Sequence, residues 1–395
     1  MDSSDLFNGS ADPRRDLPPT GPRALVRSPS PFRDYVLHGL PKDLAAVADG
    51  GLSYPRLAAK QRELLAEHGR LCLAGDDPRA ARVTQLDLLF MHNGFAPAGP
   101  RAAPRELTEL ISAQCGRFGS LDPHLSYELL IDVNSEEYGR CGDIRVFTRG
   151  RLGVLERDFY VGHHLSEPWA RSAAYALRTL VGAPDAVKPA EVLDAAARSV
   201  AEFTSHMASY RRLSGEAFGS FRPFHQGHPG GPRGASGAFM PSVQLLELAL
   251  LPPTAEYGSY LDQAMSYFPS WARPVIARWR AGSTAGANVW QSVRDGRLVL
   301  DDAGTAGLVR LIDRFVDFRM VHLGITRRML PEAFADRAGL TRREIGEQAG
   351  ERDILNGEHP GTSGFGVRDV LTNAVHRLLE LRREVLTRHA VPTDQ

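Results

Sequence analysis

The chain has 395 residues, 43% of them hydrophobic, and is long enough to bury a sizeable core as one large or two ordinary domains. Its 47 Lys and Arg balance 47 Asp and Glu, which leaves no net charge to hold a phosphate backbone or an anionic membrane. The three cysteines, Cys72, Cys115 and Cys141, are too scattered for a disulfide framework or a paired-cysteine zinc site, and point to free thiols in the cytoplasm.

Residues 1–30 are rich in Pro, Arg, Ser and Asp, lack the apolar run of a signal peptide, and read as a disordered tail. Nowhere do eighteen apolar residues run together, so no membrane span is expected. From 31 to 140, helical stretches (DLAAVADG, YPRLAAKQRELLAEHG, PRELTELISAQCGRF) alternate with Pro and Gly breaks, the texture of a smaller helical lobe. CGDIRVFTRGRLGVLERDFYVG (141–162) sets Arg-Gly between short β-branched and aromatic runs, as a short hairpin or an ordered loop does. Helical patterning returns at EPWARSAAYALRTLVG and PAEVLDAAARSVAEFTSHMASYRRLSGEAF. FRPFHQGHPGGPRGASGAFMP then breaks it, and so long a glycine-rich interruption inside a compact domain suggests a binding loop.

Further along, PSVQLLELALL is mostly apolar and is expected to form a buried helix. SYLDQAMSYFPSWARPVIARWRAG is amphipathic, with Pro269 and Pro274 as breaks or first-turn residues. GTAGLVRLIDRFVDFRMVHLGITRRML (304–330) predicts a long helix. A last one, VRDVLTNAVHRLLELRREVL, follows a turn in which Thr362 or Ser363 is a candidate N-cap. The expected fold is mainly α: a large helical bundle over 141–395, a smaller helical lobe over 31–140, and at most one short hairpin.

Within 304–330, Leu308, Phe315, His322 and Met329 recur every seven residues, and Leu311, Ile312, Phe318 and Ile325 fill the same face. His322 is therefore an imidazole on an apolar stripe. A buried imidazole without a partner costs on the order of 1–3 kcal/mol. Either a core neighbour hydrogen-bonds to it or it ligates haem iron, since porphyrin is mostly hydrophobic and a proximal histidine commonly rises from a helix into an apolar slot.

Four segments, FRPFHQGHPGGPRGASGAFMPSVQLLELALL (221–251), SYLDQAMSYFPSWARPVIARW (259–279), GLVRLIDRFVDFRMVHLGITRRML (307–330) and HPGTSGFGVRDVLTNAVHRLLELR (359–382), occur here in one order. Together they resemble the C-terminal half of the haem-dependent indoleamine/tryptophan 2,3-dioxygenase superfamily. The RPF step and the GAFMPSVQLLE run are similar to its monodechloroaminopyrrolnitrin synthase branch, and RVFTRGRL to a short distal-side segment. The resemblance covers roughly residues 200–385.

That resemblance implies a haem b whose iron is held by His322, in the R-x-x-H-L context Arg319 to Leu323. Phe318 and Ile325 would flank the ligand, and Gly234, Ala235 and Ser236 would approach the porphyrin and substrate from the distal loop. Arg222 matches an arginine that holds the substrate carboxylate; read without the family it is a surface residue or a tie between loop and body. Phe218 and Phe221, with Phe224, are spaced to line an aromatic slot or to serve as ordinary core. Thr362, Ser363 and Gly364 fall where the dioxygenases contact the substrate ammonium, although Phe365 departs from their Gly-Thr-Gly-Gly. Ser236 and His164 are the candidate catalytic residues, the latter as a proton relay shared with His163 unless that pair lies in an exposed loop. His225 and His228 form an H-x-x-H with no third ligand in sight for zinc.

The activity implied is a haem-dependent mono- or dioxygenase acting on tryptophan or a substituted tryptophan in specialised biosynthesis. O2 or peroxide would be the co-substrate of a monomer or homodimer, with no nucleic acid or membrane partner. Hydroxylation or ring rearrangement of a modified tryptophan or tyrosine, and a non-catalytic haem sensor, are the alternatives.

Overall fold

The computed structural model describes residues 30–73, 77–118, 123–225, 234–235, 237–329 and 367–390. The expected N-terminal tail, Ser236, His228, Thr362 to Gly364 and Phe365 lie outside the described residues. Among the described residues every regular element is helical and there is no strand, so the protein is mainly α as expected.

The N-terminal part comprises α1 (Leu40–Ala48), α2 (Tyr54–His68), α3 (Pro78–Asn93), α4 (Arg105–Phe118) and α5 (Asn134–Cys141), the last continuing a π-helical turn at Glu128–Val133. Then come α6 (Gly150–Gly182), α7 (Pro189–Ala208), α8 (Gly215–His225), α9 (Pro241–Leu250), α10 (Ala255–Ala264) and α11 (Ala272–Thr284). The last are α12 (Val289–Arg294), α13 (Asp302–Met329) and α14 (Val367–Ala390). Helix α7 packs between α6 and α13; α9 lies against α6 and α11, and α14 against α13. A continuous apolar core runs from Phe32 to Val385 and takes in buried residues on either side of residue 141.

Local sequence explains the main helices. The buried residues of α13 include Leu308, Leu311, Ile312, Phe315, Phe318, Ile325 and Met329, the apolar stripe expected from the spacing, while His322 on the same stripe is half-buried. Every residue of α9 is buried, as its apolar run requires. Pro269 falls in the break between α10 and α11, and Pro274 sits in the first turn of α11, where its missing N–H costs nothing.

The hairpin expected at 141–162 is not formed. Residues 143–149 are irregular, and everything from Gly150 onward is helix. The backbone donors that would have sought a paired strand find a carboxylate instead: Glu156 accepts from the Phe147 N–H at 2.8 Å, the Thr148 N–H at 2.9 Å and the Thr148 hydroxyl at 2.6 Å. Asn134 fixes the same segment by accepting from the Arg145 N–H and donating to its carbonyl, both at 2.9 Å. The Arg145 side chain is fully buried and donates to Asp87 at 2.7 Å.

Three helices are tied at one buried acid. Glu247 of α9 accepts from Arg319 of α13 at 2.6 Å and from Arg377 of α14 at 2.9 Å. Arg319 also lies over the rings of Phe315 and Phe318, and Arg377 over Tyr257. Removing one member of such a group leaves charge buried without a counter-ion. Glu247→Ala should therefore destabilise the protein by about 3–5 kcal/mol in urea unfolding; a loss below about 1 kcal/mol would show that the acid does not tie these helices.

Candidate functional site

The site is built on the inner face of α6. Its buried residues include Glu156, Tyr160, His163, Glu167, Ala170 and Ala174, spaced three or four apart, so one face of a long helix is both buried and polar. His163 Nδ1 lies 2.8 Å from the Phe159 carbonyl oxygen, one turn back. Donation of its Nδ1–H to that oxygen leaves Nε2 with a free lone pair. Tyr210 stacks on the imidazole, with ring centroids 4.8 Å apart, and its hydroxyl is 2.8 Å from Nδ1 and 3.2 Å from the same carbonyl. Gly162 makes this possible, because a Cβ there would stand 2.7 Å from the Tyr210 hydroxyl. Nε2 faces the turn Gly237–Phe239, 4.0 Å from where a Cβ on Gly237 would be.

His322 comes from α13, on the far side of α7. Its Nδ1 is sealed from solvent and has no hydrogen-bond partner. The protein surrounds the ring, and this burial, followed by the charges of Arg319 and His163, pushes its pKa down to about 3. As a residue His322 is half-buried, so it is less enclosed than its apolar neighbours on the same stripe. His163 is pushed down to about 4, mainly by burial. Two imidazoles from different helices thus lie within electrostatic reach of each other, both neutral at physiological pH. A neutral imidazole is the form that ligates a metal, since a proton would occupy the same lone pair.

Aromatic rings wall this region. Phe159 contacts His163 with centroids 4.4 Å apart, Phe218 at 5.8 Å and Phe221 at 5.7 Å. Phe318 packs between Phe203, at 4.6 Å, and His322, at 5.7 Å. Phe218, Phe221, Phe318 and Ile325 are all buried. Phe224 turns elsewhere and stacks on Phe147 at 4.7 Å. Gly234 and Ala235 are buried just ahead of the Gly237–Phe239 turn. Arg222 is half-buried in the last turn of α8.

The two adjacent histidines have separate environments. Neither lies in a loop: both are in the middle of α6. His164 points to the π-helical turn, with Nδ1 3.2 Å from Asp132. Burial alone would lower its pKa, but the hydrogen bond and charge of Asp132 raise it above the ordinary value. Of the two, it is His163 that faces inward, while His164 is turned toward Asp132. His225 is buried, with Nε2 2.6 Å from the Tyr160 hydroxyl, which donates to Glu156 at 2.5 Å. Among the described residues there is no group of three His, Cys, Asp or Glu that could hold a metal ion. No described helix is long and apolar enough to cross a membrane.

Tyr210, Tyr127 and Glu167 also belong to the site and were not expected from the sequence. Tyr127 donates to Glu167 at 3.3 Å, and its ring meets that of His163 edge-on at 6.5 Å. Extending the helical period back from Ala170 finds Glu167, with His163 and Tyr160 beyond it; no local pattern points to Tyr127 or Tyr210, which lie outside α6. No protein-family model matches the chain, and no curated protein matches it in sequence.

The buried histidines make stability depend on pH. His225 titrates at about 3 in the fold, because of burial and then the charge of His163, against about 6.5 unfolded. Between those values the unfolded chain binds a proton that the folded one refuses. Stability is thus full above pH ~6.5 and falls as pH drops, by up to about 1.4 kcal/mol per unit for each such group. Glu167, raised to about 7 first by burial and then by Asp132, acts oppositely and loses its contribution as pH rises toward 7. His225→Gln keeps a donor for Tyr160 and removes the titration. It should flatten the fall in urea-unfolding free energy between pH 6 and 4.5, by about one proton's worth of slope; an unchanged slope would mean that His225 takes up a proton inside the fold.

Proposed function

We propose that this protein is a haem-dependent oxygenase of an aromatic amino acid, tryptophan or a substituted tryptophan. His322 would be the proximal ligand of a haem b, and His163 the distal histidine. The observation that carries this reading is the pair of neutral imidazoles on α13 and α6, His322 with a sealed, unpartnered Nδ1 and His163 with its Nε2 free. The residues present suit the group: aromatic and aliphatic walls from Phe159, Phe318 and Ile325, and a small-residue approach at Gly234, Ala235 and Gly237. The resemblance noted in the sequence leads to the same ligand independently.

When bound by His322, haem would supply an iron centre able to activate O2 or peroxide. The chain's own residues do the rest. Phe159, Phe218 and Phe221 offer an apolar slot for an indole or phenol ring. His163 Nε2 would accept a hydrogen bond from the substrate's ring N–H, while the Phe159 carbonyl and Tyr210 hold the imidazole in one tautomer and orientation. Arg222 is the residue the resemblance assigns to the carboxylate, and Ser236 and Thr362 to Gly364 are those it assigns to further substrate contacts. The closeness of the two histidines favours one alternative. If His163 itself fills the sixth position, the protein is a haem sensor rather than an oxygenase.

Spectra separate these cases. Wild-type protein supplied with haemin should show a Soret band and a five-coordinate ferrous spectrum. His322→Gly should lose haem or hold it loosely, and added imidazole should restore it. His163→Ala should keep haem and lower tryptophan turnover by roughly 10²–10⁴-fold. Absence of a Soret band, or an unaltered spectrum in His322→Gly, overturns the haem assignment. A six-coordinate ferrous spectrum that becomes five-coordinate in His163→Ala establishes the sensor.

A further inference from the structure

The inner face of α6 continues beyond His163. Glu167 and Arg171 follow at four-residue steps and so share its side of the helix. Glu167 is only 3% exposed; Oε1 accepts from Tyr127, but Oε2 is sealed from solvent with no hydrogen-bond partner. Ser242, in the first turn of α9, brings its hydroxyl alongside that carboxyl without the alignment of a hydrogen bond, and its Oγ is equally sealed and unsatisfied. The Arg171 guanidinium lies 5.1 Å over the ring of Trp271, with Nε and Nη1 shut off from water and lacking acceptors. Unmet polar atoms on neighbouring residues are what folded proteins avoid unless a ligand or ordered water meets them.

The charges say which kind of ligand. Burial and the field of Asp132 keep Glu167 in its acid form up to about pH 7, so it offers a donor rather than a counter-ion. The charge of Asp132 is itself engaged by His164. Glu167 and Arg171 are near enough for the guanidinium to bear on the carboxyl's pKa, yet no described acidic group pairs with Arg171. A guanidinium with two unmet N–H donors, beside a carboxylic acid and a hydroxyl and without an anionic partner, is complementary to an anion with two oxygens.

We infer that Arg171, Glu167 and Ser242 form a carboxylate-binding site on the same face of α6 as His163. Its occupant is a carboxylate from one of two sources, a haem propionate or the α-carboxylate of an amino-acid substrate, and the choice between them rests on the function proposed above. Arg222 is a separate residue on a separate helix, so both arginines can be tested independently.

The test uses full-length wild-type, Arg171→Gln and Arg171→Lys proteins, each checked for folding by thermal melting. Each is titrated with ferric protoporphyrin IX and with its dimethyl ester, read at the Soret band, and with L-tryptophan and tryptamine, read by calorimetry. Arg171→Gln should weaken one carboxylate-bearing ligand at least tenfold and leave its carboxylate-free counterpart within twofold, with Arg171→Lys intermediate. A loss confined to protoporphyrin identifies the propionate; a loss confined to L-tryptophan identifies the substrate. Equal affinities in all three proteins overturn the site. If wild-type protein takes up no porphyrin, the haem reading fails, and the L-tryptophan and tryptamine titrations still decide the carboxylate site. If it binds neither porphyrin nor L-tryptophan, both are overturned.

Discussion

A helix of 33 residues carries a polar stripe, Glu156, Tyr160, His163, Glu167 and Arg171, into an apolar core, and much of the surrounding structure is arranged to meet it. Burying a polar group without a hydrogen bond is costly, so each satisfied member of the stripe pins another element. Glu156 captures the 143–149 segment, Tyr160 holds the end of α8 through His225, and His163 holds Tyr210, which lies between α7 and α8. Satisfaction declines along the helix. Glu156 and Tyr160 are fully bonded, His163 keeps Nε2 free, Glu167 is half bonded, and Arg171 has two donors unmet. The first part of the stripe is therefore scaffold, and its unmet polar atoms gather in the later part.

The same stripe explains what sequence reading found and missed. The α13 helix was legible because its inward residues are apolar at seven-residue spacing, so His322 stood out as the exception on a regular face. The start of α6 was not, because its inward residues are charged or hydroxylated and a search for apolar period passes over them. Without that helix, His163 and His164 look like two loop histidines, and nothing distinguishes the one that faces inward. Once the period is anchored on Ala170 and Ala174, His163 falls on the buried side and His164 beside it, toward Asp132.

The missing hairpin has a related cause. Alternation of β-branched and aromatic residues reports an extended backbone and says nothing about what its N–H groups meet. At 143–149 the backbone is irregular and open as a hairpin arm would be, but its donors are taken by a side-chain carboxylate, eight or nine residues on in the chain, and by Asn134. A single carboxylate substitutes for a partner strand at the price of being buried itself, which is why burial raises the Glu156 pKa against the pull of its donors. The reading of 31–140 as helical needed no such context, since short amphipathic helices with Pro and Gly breaks declare themselves locally.

The two histidines owe their chemistry to position more than to kind. Both sit on helices that pack against α7, and α13 is held from its other side by Arg319, one turn before His322, bonded to Glu247 and stacked on Phe315 and Phe318. The backbone beneath His322 is thus fixed by contacts that do not involve the imidazole, leaving the ring for a ligand. Desolvation then sets the polarity of the whole face in one direction. It strips protons from His163 and His322 and holds one on Glu167 below about pH 7, so below that pH the face runs from a lone-pair acceptor at His163 Nε2 to donors at Glu167 and Arg171. A ligand that matches it needs a hydrogen-bond donor or an electrophilic metal at one end and an anion at the other. A simple hydrocarbon would satisfy neither end, and a dry core leaves both unmet, which is the cost that such a polar face carries within an apolar interior.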